Sequence, residues 1–516
     1  MDDRLHQALA LLPERLGWHV ALSAAALALG LLIALPLGVL AARHPRLRWI
    51  SLSLAGLVQT IPSLALLALF FPLLLLLSGL SEQVLGHGFS ALGFLPSLLA
   101  LTLYSMLPIL RNTAAGLSGV DAAVVEAARG VGMTDRQRLW QVELPLALPV
   151  IMAGVRTAAV WTIGAATLST PVGQTSLGDY IFSGLQTEDW VAVLVGCAAS
   201  AGLAMVVDQL LGLIESGVGR RVRGRWIAGL AGLAIGLIAA LSPLAGVALS
   251  RGQPSYVIGA KNFSEQYVLA ELMAGRLEAQ GGRVERRINL GSAVAYRALA
   301  AGEIDAYVDY SGTLWANVLG RKDNPGRQAV LDQLRTGLKQ RDGVVLLTPL
   351  GFENAYALAM RRDRAQALGI KSLADLAAKG GALTMGGDLE FFSRPEWQGI
   401  EQAYGLTFRA RRQFQPTFMY RALGSGEVDV ISAFSSDGRI AADDLILLED
   451  PKGALPPYDA VILVSPKRAG DRRLVSALAP LGGSIDVEAM QAANYALDRD
   501  SDKLSAVEAA KMLAGR

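Results

Sequence analysis

Eight side chains in the second half of the chain have types suited to holding a small zwitterion: Phe263, Gln266, Tyr310, Thr313, Tyr356, Phe391, Arg394 and Phe434. Aromatic faces attract a quaternary ammonium, a cation that offers no hydrogen-bond donor, and a guanidinium grips a carboxylate through two parallel N–H bonds. Gln266 and Thr313 add neutral polar groups. Any one of these aromatics alone reads as an ordinary core residue; together they fall at the carboxyl ends of strand-like runs or in the turns that follow. The chemistry they suggest is recognition. No paired carboxylates in a motif, nucleophile elbow or metal-ligand spacing accompanies them, so the chain reads as a binding protein rather than an enzyme.

The elements that must position these residues are legible as alternating strands and helices. Strand-like YVIGA (256–260), a helix over about 265–279, VERRINL (284–290), a helix near 293–300 and IDAYVDY (304–310) form one set. A second set begins at Ala355 and runs through LTMGG, a helix from about Pro395, FRARRQF and ISAFS. Such alternation predicts α/β sheets of mostly parallel strands. The two sets share a signature: AYRALAAGEIDAYVDYSG from 295 aligns without gaps on MYRALGSGEVDVISAFSS from 419. Each copy reads helix, turn, strand, and each strand ends on an aromatic, Tyr310 or Phe434. Ligands of open α/β sheets bind outside the carboxyl ends of the strands, so two similar lobes presenting matching aromatics predict a cleft that closes on a small molecule. Tyr420, on the repeated helix opposite Tyr296, reads as packing.

The first half is different in kind. Over 516 residues the composition is 52% hydrophobic and 18% charged, yet nearly all the apolar excess lies before residue 250. Six spans are predicted, roughly 20–42, 50–77, 92–110, 148–170, 191–214 and 226–249. Arg43, Arg46 and Arg48 follow the first, Arg111 to Arg138 the third, and Arg220, Arg221, Arg223 and Arg225 the fifth, while the loops at 78–91 and 170–190 hold no Lys or Arg. The positive-inside rule then puts the amino terminus and everything after 249 outside. Pro62, Pro72 and Pro108 interrupt spans, which predicts a packed bundle whose neighbours re-satisfy the backbone. Arg156 is expected to snorkel to the cytoplasmic edge, and Gly173, Gly178 and Gly184 to form a re-entrant, gate-like outer segment. The histidines read as satisfied or solvated residues at span ends, the single Cys197 excludes an internal disulfide, and a net charge of +2 without an aromatic-laced basic stretch gives no sign of nucleic acid. Residues 1–249 are thus expected to form the membrane domain, 250–255 a linker and 256–516 the two-lobed domain.

Between two apolar runs lies a polar loop, 118–146. Asp121 to Arg129 reads as a short helix broken by Gly130 and Gly132, Thr134 and Gln137 as a capping box opening a second helix, and Pro145 as its stop. The order Glu126-Ala127-Ala128, three residues, Gly132, nine residues, Val142-x-Leu144-Pro145 resembles the EAA loop of bacterial ABC import permeases, with Val142 for the usual Ile. That resemblance implies that Glu126, Ala127, Ala128, Gly132, Leu144 and Pro145 belong to a coupling helix docking into an ATPase subunit. No GxxxxGK[ST] occurs in the chain, so ATP would be used by that separate polypeptide and no cofactor is expected here. GAKNFSEQ (259–266), INLGS, VDYSGT (308–313), NAYALAM (354–360) and DLEFFSRPEW (388–397) resemble the substrate-binding domains of osmoprotectant-type ABC importers; Glu396-Trp397 departs from that pattern.

The resemblance implies a fused architecture, an α-helical membrane bundle of about six spans followed by an α/β two-lobed periplasmic-binding-protein-like domain. It also implies a bacterial inner-membrane location with the binding domain outside, a second permease copy as partner, and a glycine betaine, choline or carnitine type of ligand. Ergothioneine or an amino acid as cargo, and a ligand-gated membrane receptor built on the same lobes, remain open from the residues alone.

Overall fold

The computed structural model describes residues 2–515 apart from 188, 251–254, 322, 389–390, 415 and 500. The linker expected at 250–255 therefore lies largely outside the described residues. The chain divides into two compact units, Met1–Gln253 with Asn289–Val294, and Pro254–Ile288 with Ala295–Arg516.

The first unit is helical: α1 (Asp2–Arg43), α2 (Pro45–Thr60), α3 (Ser63–Leu85), α4 (Phe94–Ser118), α5 (Ala122–Gly130), α6 (Asp135–Arg138), α7 (Leu144–Ala166), α8 (Gly178–Gln186), α9 (Trp190–Gly219) and α10 (Arg223–Ser250). Among the described residues six helices are long and apolar enough to cross a membrane. Leu22, Ala34, Leu101, Ile109, Leu110, Ala158 and Ala166 are buried where α1, α4 and α7 pack. Two spans differ from expectation. Helix α1 begins well before residue 20, and the Arg15 guanidinium on this added stretch lies 4.0 Å from the centre of the Tyr180 ring. The second apolar run is two helices, because Pro62 has no N–H to continue α2 and forces Ile61 into extended backbone.

Pro108 stays inside α4, its carbonyl accepting from Asn112 Nδ2 at 2.9 Å. Arg156 is held by two carboxylates. It sits in the middle of α7, and its guanidinium forms a fork with Asp208 (2.9 and 2.8 Å) and reaches Glu215 (2.8 Å), both on α9. Gly212 lies against the guanidinium, where a Cβ would come within 3.4 Å of Cζ. His19 is buried within α1 rather than at a span end, with Nε2 3.0 Å from the Ile163 carbonyl oxygen. The glycine-rich segment folds as a 3₁₀ turn (Thr167–Val172) followed by α8, with Asp179 accepting from the Thr170 hydroxyl at 3.0 Å.

Among the described residues the second unit holds ten strands in two five-stranded sheets. Strands β1 (Tyr256–Lys261), β2 (Val284–Leu290), β3 (Ala306–Tyr310), β4 (Val345–Glu353) and β10 (Asp459–Val464) make the first lobe in the order β2-β1-β3-β10-β4; β5 (Tyr356–Arg361), β6 (Thr384–Asp388), β7 (Ala410–Phe414), β8 (Val430–Phe434) and β9 (Leu445–Leu447) make the second in the order β7-β6-β8-β5-β9. The sheets are mixed, not mostly parallel: β1 with β3 and β6 with β7 and β8 are parallel, but β10 and β5 run antiparallel to both neighbours. Each antiparallel strand directly follows a crossover from the other lobe.

The repeated signature is also a repeated set of bonds. Asp305 accepts from the Val257 amide (2.8 Å), and its counterpart Asp429 from the Thr384 amide (2.9 Å), so each carboxylate clamps the neighbouring strand. Ser311 donates to the Pro457 carbonyl (2.9 Å) and accepts from the Asp459 amide (2.8 Å); Ser435 donates to the Glu353 carbonyl (2.8 Å) and accepts from the Ala355 amide (3.0 Å). The shared serine therefore pins one crossover in each lobe.

Candidate ligand cleft and coupling loop

The strand ends bring two aromatic pairs to the crossovers. Tyr310 closes β3, and Phe263 precedes α11 (Ser264–Ala279); their ring centres are 6.0 Å apart. Tyr356 opens β5 directly opposite Phe434 in the antiparallel register, with ring centres 4.6 Å apart. Tyr310 and Tyr356 are largely buried, while Phe263 and Phe434 are half-buried. Phe391 is fully buried, 5.4 Å from Tyr356 and 5.6 Å from Trp397 between ring centres, and so backs the second pair from the lobe core. Thr313 is half-buried in the turn after β3.

Gln266 is occupied within the first lobe. It is buried in the first turn of α11, where Oε1 accepts from the Lys261 amide (3.2 Å) and Nε2 donates to the Tyr310 hydroxyl (3.0 Å). That hydroxyl donates in turn to Glu265, a residue not singled out from the sequence. Glu265 is 2% exposed and also accepts from Asn354 Nδ2 and Asn494 Nδ2, each at 3.2 Å. Burial pushes its carboxyl up, while hydrogen bonds with Ser436, Tyr310, Asn494 and Asn354 act in the opposite direction. One carboxylate thus ties Tyr310 to the first crossover. Beneath it, Lys261 and Asp309 form a buried ion pair, with the ammonium 5.3 Å from the Tyr310 ring centre.

Arg394 caps the second pair, its guanidinium 5.0 Å from the Tyr356 ring centre. It already holds a carboxylate: Nε and Nη2 lie 3.2 and 3.3 Å from the two oxygens of Glu396, which also accepts from the Tyr458 hydroxyl. The Tyr458 ring leaves no room for a side chain at 312, where a Cβ would lie 2.6 Å from Cζ. Glu265, Asn354 and Glu396 all fall within the stretches GAKNFSEQ, NAYALAM and DLEFFSRPEW. The motifs contained them; their roles depend on partners far away in sequence.

In the first unit, Asp121 caps α5 by accepting from the Ala123 amide (2.9 Å), and Thr134 with Gln137 forms the expected capping box of α6. Gly132 has φ +83°. Pro145 does not stop a second helix. The single turn of α6 passes through a π turn (Leu139–Glu143) into α7, and Pro145 occupies the first turn of α7, where a missing N–H is harmless. Ala128 is buried, Glu126 and Ala127 are exposed, and Val124, Val131 and Trp140 put apolar surface on the outside of the loop. The loop is braced to the end of α1, since Glu143 takes Arg138 Nε at 2.7 Å and Arg43 Nη2 at 3.0 Å.

Residues 254–512 match the substrate-binding domain of ABC-type glycine betaine transport systems, and residues 34–220 match the inner-membrane component of binding-protein-dependent transport systems. The chain is a fused permease and binding protein of the osmoprotectant ABC importers. The fusion is 28% identical over 477 residues, 90% of this chain and 83% of the relative, to the ergothioneine transport permease/ergothioneine binding protein EgtU of Helicobacter pylori (strain G27). It is 41% identical over 197 residues, 38% of this chain and 83% of the relative, to the choline transport system permease protein OpuBB of Bacillus subtilis (strain 168). A crystal structure of a glycine betaine/carnitine/choline ABC transporter is matched at 26% identity with a TM-score of 0.47, covering 51% of this chain and 98% of that one. The fusion is accordingly a multi-pass inner-membrane transport protein, non-enzymatic itself and dependent on a partner ATPase.

Proposed function

We propose that the fusion captures a small trimethylammonium betaine between Phe263 and Tyr310 on one lobe and Tyr356 and Phe434 on the other, and passes it inward. The observation that carries this reading is the convergence of both aromatic pairs on the crossovers, through Glu265 and Asn354 on one side and the Tyr356–Phe434 register on the other. Four cation–π contacts at roughly 0.5–2 kcal/mol each supply about 2–8 kcal/mol. A micromolar site needs about 8 kcal/mol, so a charge-assisted bond of about 1.5–3 kcal/mol to a ligand carboxylate, from Arg394, raises a weak site to a useful one. This favours betaines over choline. In this reading the binding domain is on the outer face, the arginine-rich helix ends are cytoplasmic, and two copies make one pore. The loop from Glu126 to Pro145 docks on the ATPase through Val131 and Trp140, with Val124 just before it.

Ergothioneine, itself a trimethylammonium betaine, is the second reading, supported by the relative that matches both halves of the fusion. Calorimetry on the full chain in detergent with glycine betaine, carnitine, ergothioneine and choline tests both. Binding of a betaine, weakened at least tenfold by Tyr310→Ala and by Tyr356→Ala, is expected. A cleft that takes a plain amino acid and ignores every methylated ammonium would overturn the proposal.

A further inference from the structure

An open groove lies inside the membrane unit, at the break between α2 and α3. The groove, of about 550 Å³, is lined there by residues of the break, among them Gln59, Pro62 and Ser63, and by Tyr104 and Trp161, with Gly164 and Ala165 on its α7 side. That volume is within the range of small-molecule sites. Its depth follows from helix geometry. At 1.5 Å per residue, Thr60 lies about 22 Å from the start of α2, Tyr104 about 15 Å from one end of α4, and Trp161 about 26 Å from the start of α7. The break is therefore within the hydrocarbon layer.

Broken backbone at that depth is tolerated only where protein covers it or a water-filled space faces it. Here Thr60 and Pro62 are exposed, Trp161 is 55% exposed, and a Cβ built at Gly164 would meet nothing within 4 Å. The break is nonetheless held in shape. Tyr104 donates its hydroxyl to the Ile61 carbonyl, Gln59 Nε2 donates to the Tyr104 carbonyl at 3.2 Å, and the Thr60 hydroxyl donates to the Leu57 carbonyl at 2.7 Å. The carbonyl end of the 16-residue α2 and the N–H end of α3, which begins at Ser63 on the lining, meet at this space and offset each other, so what it offers a cation is the rings of Tyr104 and Trp161. None of its described lining residues is charged, so no side chain there repels a cation and no fixed anion traps one.

We propose that this groove is a transit site for the trimethylammonium group of the solute, held by the rings of Trp161 and Tyr104. The inference rests on the quaternary-ammonium reading of the cleft, but its test needs no occupied cleft. The single cysteine, Cys197, is replaced by serine, and Gly164→Cys, placed one helical turn from Trp161, supplies a thiol facing the groove. The full chain in nanodiscs is then labelled with a trimethylammonium-ethyl methanethiosulfonate and, separately, with the neutral methyl reagent. Gly202→Cys on α9, also in open space, is the control.

The charged reagent should label position 164 at least tenfold faster, relative to the neutral one, than it labels position 202. Trp161→Leu should abolish that preference, Trp161→Phe should keep it, and millimolar glycine betaine should slow it. Equal ratios at 164 and 202, faster labelling by the neutral reagent as lipid would give, no labelling at all as a covering second copy would give, or indifference to Trp161→Leu would each overturn the proposal. Should the preference hold while calorimetry finds no quaternary ammonium in the cleft, the cleft reading fails and the membrane site stands.

Discussion

Arg394 meets a ligand carboxylate only by sharing or releasing the one it has. Glu396→Gln removes the competing charge while leaving an amide oxygen for the Tyr458 hydroxyl. Affinity for glycine betaine should rise about three- to tenfold, on the order of 1 kcal/mol, while choline, which lacks a carboxylate, is unchanged or weaker. Equal shifts for both ligands in calorimetry would show that Arg394 does not face the carboxylate. Asp498 tests the same lobes by pH. Ser264 donates to it at 2.6 Å, Asp437, Arg439 and Lys503 are the charges around it, and burial pushes its carboxyl up to about 7. Unfolded, it titrates near 3.9. Between about pH 4 and pH 7 the unfolded chain therefore loses a proton that the folded chain keeps, so stability falls as pH rises through that window and levels off above it. Asp498→Asn should flatten this part of the profile in a pH series of thermal melts; an unchanged slope would place the titration elsewhere.

The coupling loop carries the sharpest expectation among the elements. Gly132 has φ +83° with open space around its Cα, so its requirement is conformational, not steric. Gly132→Val should cost about 1–2 kcal/mol locally and cut uptake by reconstituted importer at least tenfold, with ligand affinity unchanged. Glu143→Gln should act in the same direction by releasing the loop from Arg43. Full uptake in both variants would show that the loop is not the coupling element. What the sequence made legible here was local: the Thr134–Gln137 box, the glycine breaks, the strand-end aromatics and the repeated Gly-Glu-x-Asp turn are all set by neighbours within a few residues. What it concealed was non-local. Asp208 and Glu215 are 52 and 59 residues from Arg156, and a charge in an apolar run looks the same paired or unpaired. Glu265 likewise looks like any first-turn acid until its four partners gather around it. The antiparallel strands were hidden for the same reason, since β10 joins a sheet whose other members lie before residue 354.

At the scale of the molecule, each unit has its own apolar core, one along α1, α4 and α7 and the others in the two lobes. A ligand that binds only the lobes should raise only their melting transition. At one hundred times Kd the shift corresponds to about 2.7 kcal/mol, readable by calorimetric scanning of the full chain with and without glycine betaine. A single transition moving as a whole would mean that the units unfold together.

The placement of β10 also sets an order of assembly during synthesis. The strand lies between β3 and β4, yet it is made only after the entire second lobe. Until then β3 and β4 flank an empty slot, each with a row of unpaired amides and carbonyls. The second lobe has all its strands earlier, so the later-translated half of the domain can settle first. The first lobe closes when the last strand is threaded into its middle, and a chain stalled before residue 459 is left with a sheet that a foreign strand can complete.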